Sequence, residues 1–144
     1  MAEPEVATRG GLEGVTFADF LAAEWRPALG CTEPASIAYA AALAADAAGR
    51  GGIAGEVVSA HLVCDARIYK NCYAVGIPNS GGKSGILWTL AIGCLLPDPG
   101  VGLEGFRFIT PQILARAERL LAGGALTVDV DANRHELFVD VRVV

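Results

Sequence analysis

The segment over residues 34–48 most limits the folds open to this chain, because it consists almost entirely of alanine and other small or apolar residues. Alanine favours helix, and the segment has Thr32 as a predicted N-cap, Pro34 in its first turn and Gly49 just past its end. A helix that is apolar nearly all round must be covered by neighbours. We therefore expect it to lie in a helical core, and we expect any uncovered part of it to be a partner surface.

Length and composition are typical of one small domain. The chain has 144 residues, of which 53% are hydrophobic and only 7% aromatic, so alanine, valine, leucine and isoleucine supply most of the core. Residues 1–14 mix charged residues with glycine and alanine. We expect a flexible leader over residues 1–14 and a single domain over residues 15–144.

Charge and hydropathy argue against two kinds of partner. The net charge is -5 and the basic residues are scattered, which disfavours binding to nucleic acid. Asp46 and Arg50 close the longest Ala-rich stretch, so no apolar run reaches the roughly eighteen residues of a membrane span. We expect no membrane partner and, by default, a cytoplasmic location.

Hydrophobic periodicity and turn residues predict four helices and a small sheet. The strands predicted near the C-terminus flank a turn at residues 131–134 and are expected to pair as a β-hairpin. The fold class is therefore α+β, with Ala-rich helices packed on a small mixed sheet that ends in a C-terminal β-hairpin. The predicted helices span residues 17–25, 34–48, 83–94 and 111–122, and the predicted strands span residues 56–63, 72–77, 126–130 and 136–143.

Cys31 lies in the segment RPALGCTEP, residues 26–34, just ahead of the predicted second helix. The dipole and the unpaired N–H groups of a helix start lower the pKa of a thiol, so we expect Cys31 to be partly ionised near neutral pH. A thiolate acts as a base, a nucleophile or a metal ligand. The alternative is that Cys31 is a small buried core residue, as most lone cysteines are.

A Gly-rich stretch, IPNSGGKSG over residues 77–85, lies between a predicted strand and a predicted helix, and Lys70 and Asn71 precede it. Glycine lets the backbone approach a ligand, and a helix start offers N–H donors to a carboxylate or phosphate. Five residues rather than the four of a P-loop separate Gly76 from Gly82, so an NTPase is kept only as an alternative. An ordinary strand-to-helix turn is the other alternative.

The remaining polar residues predict no metal site. The cysteines have no C-x-x-C spacing and are expected to be free thiols. His61 and His135 have no partner at a metal-binding spacing and are interpreted as structural or surface residues. Four acidic residues alternate along the predicted hairpin and are interpreted as its solvated face: Asp129, Asp131, Glu136 and Asp140.

Together, the two motifs resemble the iron-sulfur-dependent L-cysteine desulfidases, which belong with the serine-dehydratase α-subunit-like proteins. Residues 27–34 resemble the family's Pro-Ala-Leu-Gly-Cys-Thr-Glu-Pro signature, and residues 68–71 with 76–82 resemble its Lys-Asn and Pro-Asn-Thr-Gly-Gly segment. The resemblance covers most of the chain. It implies a lyase that removes sulfide from L-cysteine and leaves pyruvate and ammonia, with L-serine dehydration as the close alternative.

The resemblance also implies roles for individual residues. Cys31 matches the cysteine that serves as proton acceptor in that family. Residues of the two motifs are assigned to the amino-acid pocket: Thr32, Glu33, Lys70, Asn71, Asn79, Ser80, Gly81 and Gly82.

The chain departs from this family in length. Members run to several hundred residues and hold a 4Fe-4S cluster through cysteines in their C-terminal part, and Cys64, Cys72 and Cys94 do not occupy those positions. We therefore expect the cluster to be supplied by a C-terminal partner chain, or the protein to act as a homo-oligomer. A non-catalytic amino-acid-binding module and an assembly subunit are the alternatives.

Overall fold

A computed structural model describes residues 14–52 and 54–144 of the chain, and the predicted leader lies outside these residues except for Gly14. The described residues form five α-helices, one 3-10 segment and three strands, which confirms the α+β class. In chain order the elements are α1 (Phe17–Glu24), α2 (Thr32–Ala47), β1 (Ala60–Asp65), α3 (Ala66–Cys72), α4 (Ile86–Leu95), the 3-10 segment (Pro99–Phe108), α5 (Pro111–Ala122), β2 (Leu126–Asp131) and β3 (Val139–Val143).

The Ala-rich helix α2 lies at the centre of the core, packed against α4, the 3-10 segment and β3. Its small side chains let α4 approach closely: a Cβ added to Gly93 would lie only 2.7 Å from the Ala38 Cα. The chain's own elements thus cover most of α2, and Leu43 remains exposed on its outer face. The partner surface on this helix stays a prediction. Most of the inward residues of α2 are fully or almost fully buried: Pro34, Ala35, Ile37, Ala38, Ala41, Ala42 and Ala45.

Exposed apolar surface also lies on and around α1. None of the residues of α1 is buried. The helix begins with a capping box formed by Thr16 and Asp19. Phe17 and Phe20 are 75% and 49% exposed, and Trp25, just past the helix, is 70% exposed. Aromatic side chains grouped on a surface in this way are typical of association sites.

The three strands form a mixed sheet in the order β2-β1-β3. β1 pairs in parallel with β2 and antiparallel with β3, so the two C-terminal strands exist but do not pair with each other as a hairpin. β1 takes the central position because it carries the fully buried Leu62 and Cys64. The connection over residues 132–138 is long enough for the chain to cross to the other side of β1.

Several predicted boundaries differ from the structure, and one predicted strand is absent because the start of α3 at Asp65 was overlooked. Residues 72–77 do not form a strand; α3 ends at Cys72, and only an isolated bridge joins Gly76 to Ser84. β1 begins at residue 60 rather than 56, and α4 begins at residue 86 rather than 83. The 3-10 segment lies between two predicted helices, where the sequence predicted neither a helix nor a strand.

Asp65 is the residue that starts α3 and joins it to the sheet. Its fully buried carboxylate accepts hydrogen bonds from the backbone N–H groups of Arg67 (2.9 Å), Ile68 (3.4 Å) and Phe138 (2.8 Å), and from Arg67 Nε (3.2 Å). Burial by itself raises the pKa of Asp65, but the hydrogen bonds from Phe138, Arg67 and Ile68 outweigh it and leave the pKa below its usual value.

This arrangement predicts an acid-sensitive contribution to stability. Because the folded pKa lies below the unfolded value, Asp65 stabilises the fold above the unfolded pKa of about 3.9, and this stabilisation is lost as pH falls through the folded pKa. We expect Asp65→Asn to lower the free energy of unfolding at neutral pH by about 1–2 kcal/mol. Urea titrations at neutral and acidic pH measure this, with exposed Asp46→Asn as control. Equal loss from both variants would contradict the prediction.

Within the described residues no single helix is long and apolar enough to cross a bilayer. Only α4 and the 3-10 segment taken together reach that length and composition, and they meet at a bend of 117°. All of α4 except Leu87 and Trp88 is buried in the protein core. The cytoplasmic location stays a prediction.

Candidate functional site

Cys31 is the N-cap of α2, where its backbone is extended (φ -69°, ψ 136°). Its thiol is exposed, whereas Cys64, Cys72 and Cys94 are buried. The alternative of a buried core cysteine is therefore wrong for this residue. Thr32 is the first residue of the helix rather than its N-cap, so the predicted N-cap lies one residue too far along the chain.

Gly30 brings the Cys31 loop into contact with the Gly-rich turn. It has a left-handed backbone (φ 82°), and a Cβ added to it would lie 2.6 Å from Pro78 Cγ. Only glycine combines this backbone conformation with so close an approach. The backbone N–H of Leu29 donates to the Leu103 carbonyl at 3.2 Å and anchors the other end of the loop. The two sequence motifs therefore meet at this point.

Glu33 connects Cys31 to α3. Its Oε2 accepts hydrogen bonds from Cys31 Sγ at 3.1 Å and from Thr32 Oγ1 at 3.3 Å, and its Oε1 accepts one from Asn71 Nδ2 at 3.1 Å. The four residues form one polar cluster, in which Glu33 is half-buried and the others are exposed. Lys70, the neighbour of Asn71 in α3, is also exposed.

The electrostatics of this cluster differ from the sequence expectation. The pKa of Cys31 is raised, chiefly because the thiol donates its hydrogen bond to the Glu33 carboxylate and because burial adds a desolvation cost. The pKa of Glu33 is lowered by the hydrogen bonds from Cys31 and Asn71. The expected depression of the Cys31 pKa is therefore wrong, because a carboxylate two residues into the helix opposes the effect of the helix start.

The Gly-rich turn is held by its own side chains. Ser80 is buried and donates to the carbonyls of Ile77 (2.7 Å) and Lys83 (3.2 Å), and it accepts from the backbone N–H of Lys83 (3.0 Å). Asn79 has a left-handed backbone (φ 58°) and donates to the Phe106 carbonyl at 3.2 Å. These two side chains hold the turn in shape, and the backbone of Gly81 and Gly82 stays exposed.

Gly81 and Gly82 are both exposed and both left-handed (φ 67° and 89°). They do not open α4 directly, because Gly85 is the N-cap of that helix. The sequence predicted that the Gly-rich backbone would lie directly at the helix start. In the structure Lys83 and Ser84 separate the two glycines from the N-cap.

A cavity of about 700 Å³ lies beside the Cys31 loop and was not predicted from the sequence. Arg26 and Pro27 of the first motif line it, together with Tyr39 of α2 and Arg107 of the 3-10 segment. Arg107 forms an ion pair with Glu104, which also lines the cavity. The only sequence signal for it was Arg26, which opens the RPALGCTEP segment. Cys31 is not among the lining residues.

A metal cluster needs several ligand side chains close together. Among the described residues, no three His, Cys, Asp or Glu side chains come together as a group that could hold a metal ion. Burial raises the pKa of Cys64 to about 11, of Cys72 to about 11 and of Cys94 to about 12. Iron-sulfur clusters are held by several cysteine thiolates, and the assignment of the cluster to another part of the enzyme stays a prediction.

The fold and this site define a small α+β domain with an exposed thiol set between an Ala-rich helix and a Gly-rich turn. Proteins similar to this chain are named UPF0597 proteins, a name that states no activity. One from Geobacter sulfurreducens is 38% identical over 125 residues, which are 87% of this chain and 28% of the relative. Another, from Nitratidesulfovibrio vulgaris, is 40% identical over 78% of this chain and 24% of the relative.

A third relative, from Elusimicrobium minutum, is 36% identical over 81% of this chain and 26% of its own length. The chain therefore spans about a quarter of the length of the curated relatives that it matches. No family model matches the chain, and no solved structure matches it.

Proposed function

We propose that this chain is the substrate-binding, thiol-bearing part of an amino-acid lyase that converts L-cysteine to pyruvate, ammonia and sulfide. The observation that carries the proposal is the exposed Cys31 thiol, which lies where the loop of the first motif contacts the Gly-rich turn and which is linked through Glu33 to Asn71. The proposed base, Cys31, and polar side chains that could bind a small zwitterionic amino acid, Glu33 and Asn71, therefore lie in one surface region. The resemblance to L-cysteine desulfidases supplies the reaction.

In this proposal Cys31, once ionised, takes the α-proton of the bound amino acid. The exposed backbone around Gly81 and Gly82 binds its carboxylate, and Thr32, Lys70 and Asn71 orient it. Asn79 and Ser80 act by holding the turn in shape. Loss of the β-thiol as sulfide then gives aminoacrylate, which hydrolyses to pyruvate and ammonia. L-serine, which loses water instead, is the closest alternative substrate.

A partner chain is part of the proposal. Cys31 lies on an open surface, whereas lyase chemistry on a small substrate requires a covered site. The relatives contain about three times as much additional polypeptide as the part that matches, and the aromatic side chains around α1 offer a surface to it. In the complete enzyme we assign the 4Fe-4S cluster to that additional polypeptide. Bound there, it would polarise the departing thiol.

The expected result is that the chain alone gives no product, and that adding the remainder of the Geobacter sulfurreducens relative restores release of sulfide and pyruvate from L-cysteine without pyridoxal phosphate. Colorimetric sulfide and coupled pyruvate assays measure this under anaerobic conditions. Pyruvate formed from L-serine but not from L-cysteine would favour the dehydratase. Calorimetric binding of either amino acid with no product from the reconstituted pair would favour a binding module, and neither binding nor product would favour an assembly subunit.

A further inference from the structure

Glu33 holds the Cys31 thiol and the Asn71 amide at the same time, one on each carboxylate oxygen. Both distances are 3.1 Å. An ionised carboxylate only accepts hydrogen bonds, so Glu33 stabilises the protonated thiol. It also opposes a negative charge on a sulfur atom that lies in contact with it.

A cation that pairs with Glu33 reverses both effects. An ammonium group has N–H donors that compete with the thiol for Oε2, and its positive charge favours an anion on the neighbouring sulfur. The free amino group of an amino acid is such a cation, and it is small enough to reach an exposed cluster. Resting on the function proposed above, we propose that Glu33 binds the substrate's ammonium group and thereby couples substrate binding to ionisation of Cys31.

The proton in this step leaves Sγ for bulk water, which has access to the exposed thiol. Glu33 is not the acceptor, because the hydrogen bonds from Cys31 and Asn71 keep its pKa low and the carboxylate ionised. Among the residues that the structure describes, Cys72 of α3 also interacts electrostatically with Cys31, and burial raises its pKa to about 11, so it stays protonated near neutral pH. The hydrogen bond to Glu33 is the largest of the effects that raise the pKa of Cys31.

Such coupling has a benefit for an exposed thiol. Thiolates are the species that oxidise and alkylate, whereas protonated thiols are comparatively inert. Without substrate, Glu33 keeps Cys31 in the inert form. The reactive form appears only when an amino acid occupies the site. Molecules that lack an ammonium group do not trigger ionisation of the thiol.

The first test compares alkylation of Cys31 by iodoacetamide across pH in the wild-type chain, in Glu33→Gln and in Asp46→Asn. Cys31 is the exposed cysteine among the four, so mass spectrometry isolates its rate. We expect the Glu33→Gln profile to move to lower pH, with several-fold faster alkylation near neutral pH. Asp46→Asn removes an equal charge from an exposed position on the same helix and should leave the profile unchanged. Identical profiles for Glu33→Gln and wild type would overturn the role of Glu33.

The second test measures the ultraviolet absorbance of the thiolate while L-serine is added, with N-acetyl-L-serine as the matched ligand that lacks an ammonium group. We expect an increase with L-serine only, and none in Glu33→Gln. Calorimetry on the same samples, with L-cysteine as a second ligand, separates two failures. Binding of L-serine without thiolate formation would overturn the coupling alone, whereas absence of binding by both L-serine and L-cysteine would count against the proposed function itself.

Discussion

Cys31→Ala is expected to lower sulfide release from L-cysteine by about 10²–10⁴-fold in the reconstituted enzyme, which is the range that a positioned general base contributes. The Cys31 thiol is exposed, and the residue is the N-cap of α2 without a capping hydrogen bond from its side chain. Removing the thiol should therefore leave folding unaffected. Single-turnover and steady-state assays of sulfide measure the loss.

Two controls separate the chemical role from a structural one. The thermal midpoint of Cys31→Ala should match that of the wild-type chain, and calorimetry should still detect amino-acid binding, since Glu33 and Asn71 remain in place. Cys31→Ser keeps the size of the side chain but replaces the thiol by a hydroxyl that does not ionise near neutral pH, so it should lose activity as well. Wild-type turnover in either variant would exclude Cys31 as the proton acceptor.

Gly93→Ala is expected to destabilise the fold by about 3 kcal/mol, at the upper end of the usual cost of overpacking a core. A Cβ at this position would lie 2.7 Å from both the Cα and the carbonyl oxygen of Ala38, and 2.8 Å from the Ala41 Cβ. Backbone atoms of α2 cannot turn aside as a long side chain does. The higher helix propensity of alanine returns only about 1 kcal/mol, so the clash decides the sign.

Urea-induced unfolding followed by circular dichroism measures this effect. The matched control is Gly123→Ala at the end of α5, where the added Cβ would lie 3.4 Å from the nearest atom and the backbone is helical (φ -73°). That variant should have nearly wild-type stability. If Gly93→Ala proved as stable as Gly123→Ala, the close packing of α2 on α4 would be wrong.

The elements with marked ends could be predicted from sequence. Thr110 and Pro111 open α5, and its observed bounds are those predicted; the apolar period of α1 likewise located that helix within one residue. α3 was missed because its signal is one residue, Asp65, at the end of a run that alternates as a strand does. A single N-cap contributes too little to outweigh periodicity in a short segment.

The position of Cys31 at the start of α2 was predicted from sequence, whereas the electrostatics around its thiol were not. The glycine next to Cys31 and the Gly-rich turn indicated close backbone approaches, and Gly30 does contact Pro78. The protonation of Cys31 depends on where the Glu33 carboxylate turns, and a rotamer choice of this kind is decided by a third residue, Asn71, from a distant part of the chain.

The sequence alone determined that a helix would lie over most of residues 34–48 with much of its surface covered, and that Cys31 would lie at the start of that helix. Propensity, caps and apolar content act within a few residues and can be evaluated from the linear chain. The tertiary structure decided the order of the strands, the covering of α2 by this chain itself and the hydrogen bond that keeps the thiol neutral. The strand order and the covering of α2 depend on contacts between residues far apart in sequence, whose free energies exist only once the core has assembled. The hydrogen bond from Cys31 to Glu33 is local, but the same carboxylate also accepts one from Asn71, which lies 38 residues further along the chain.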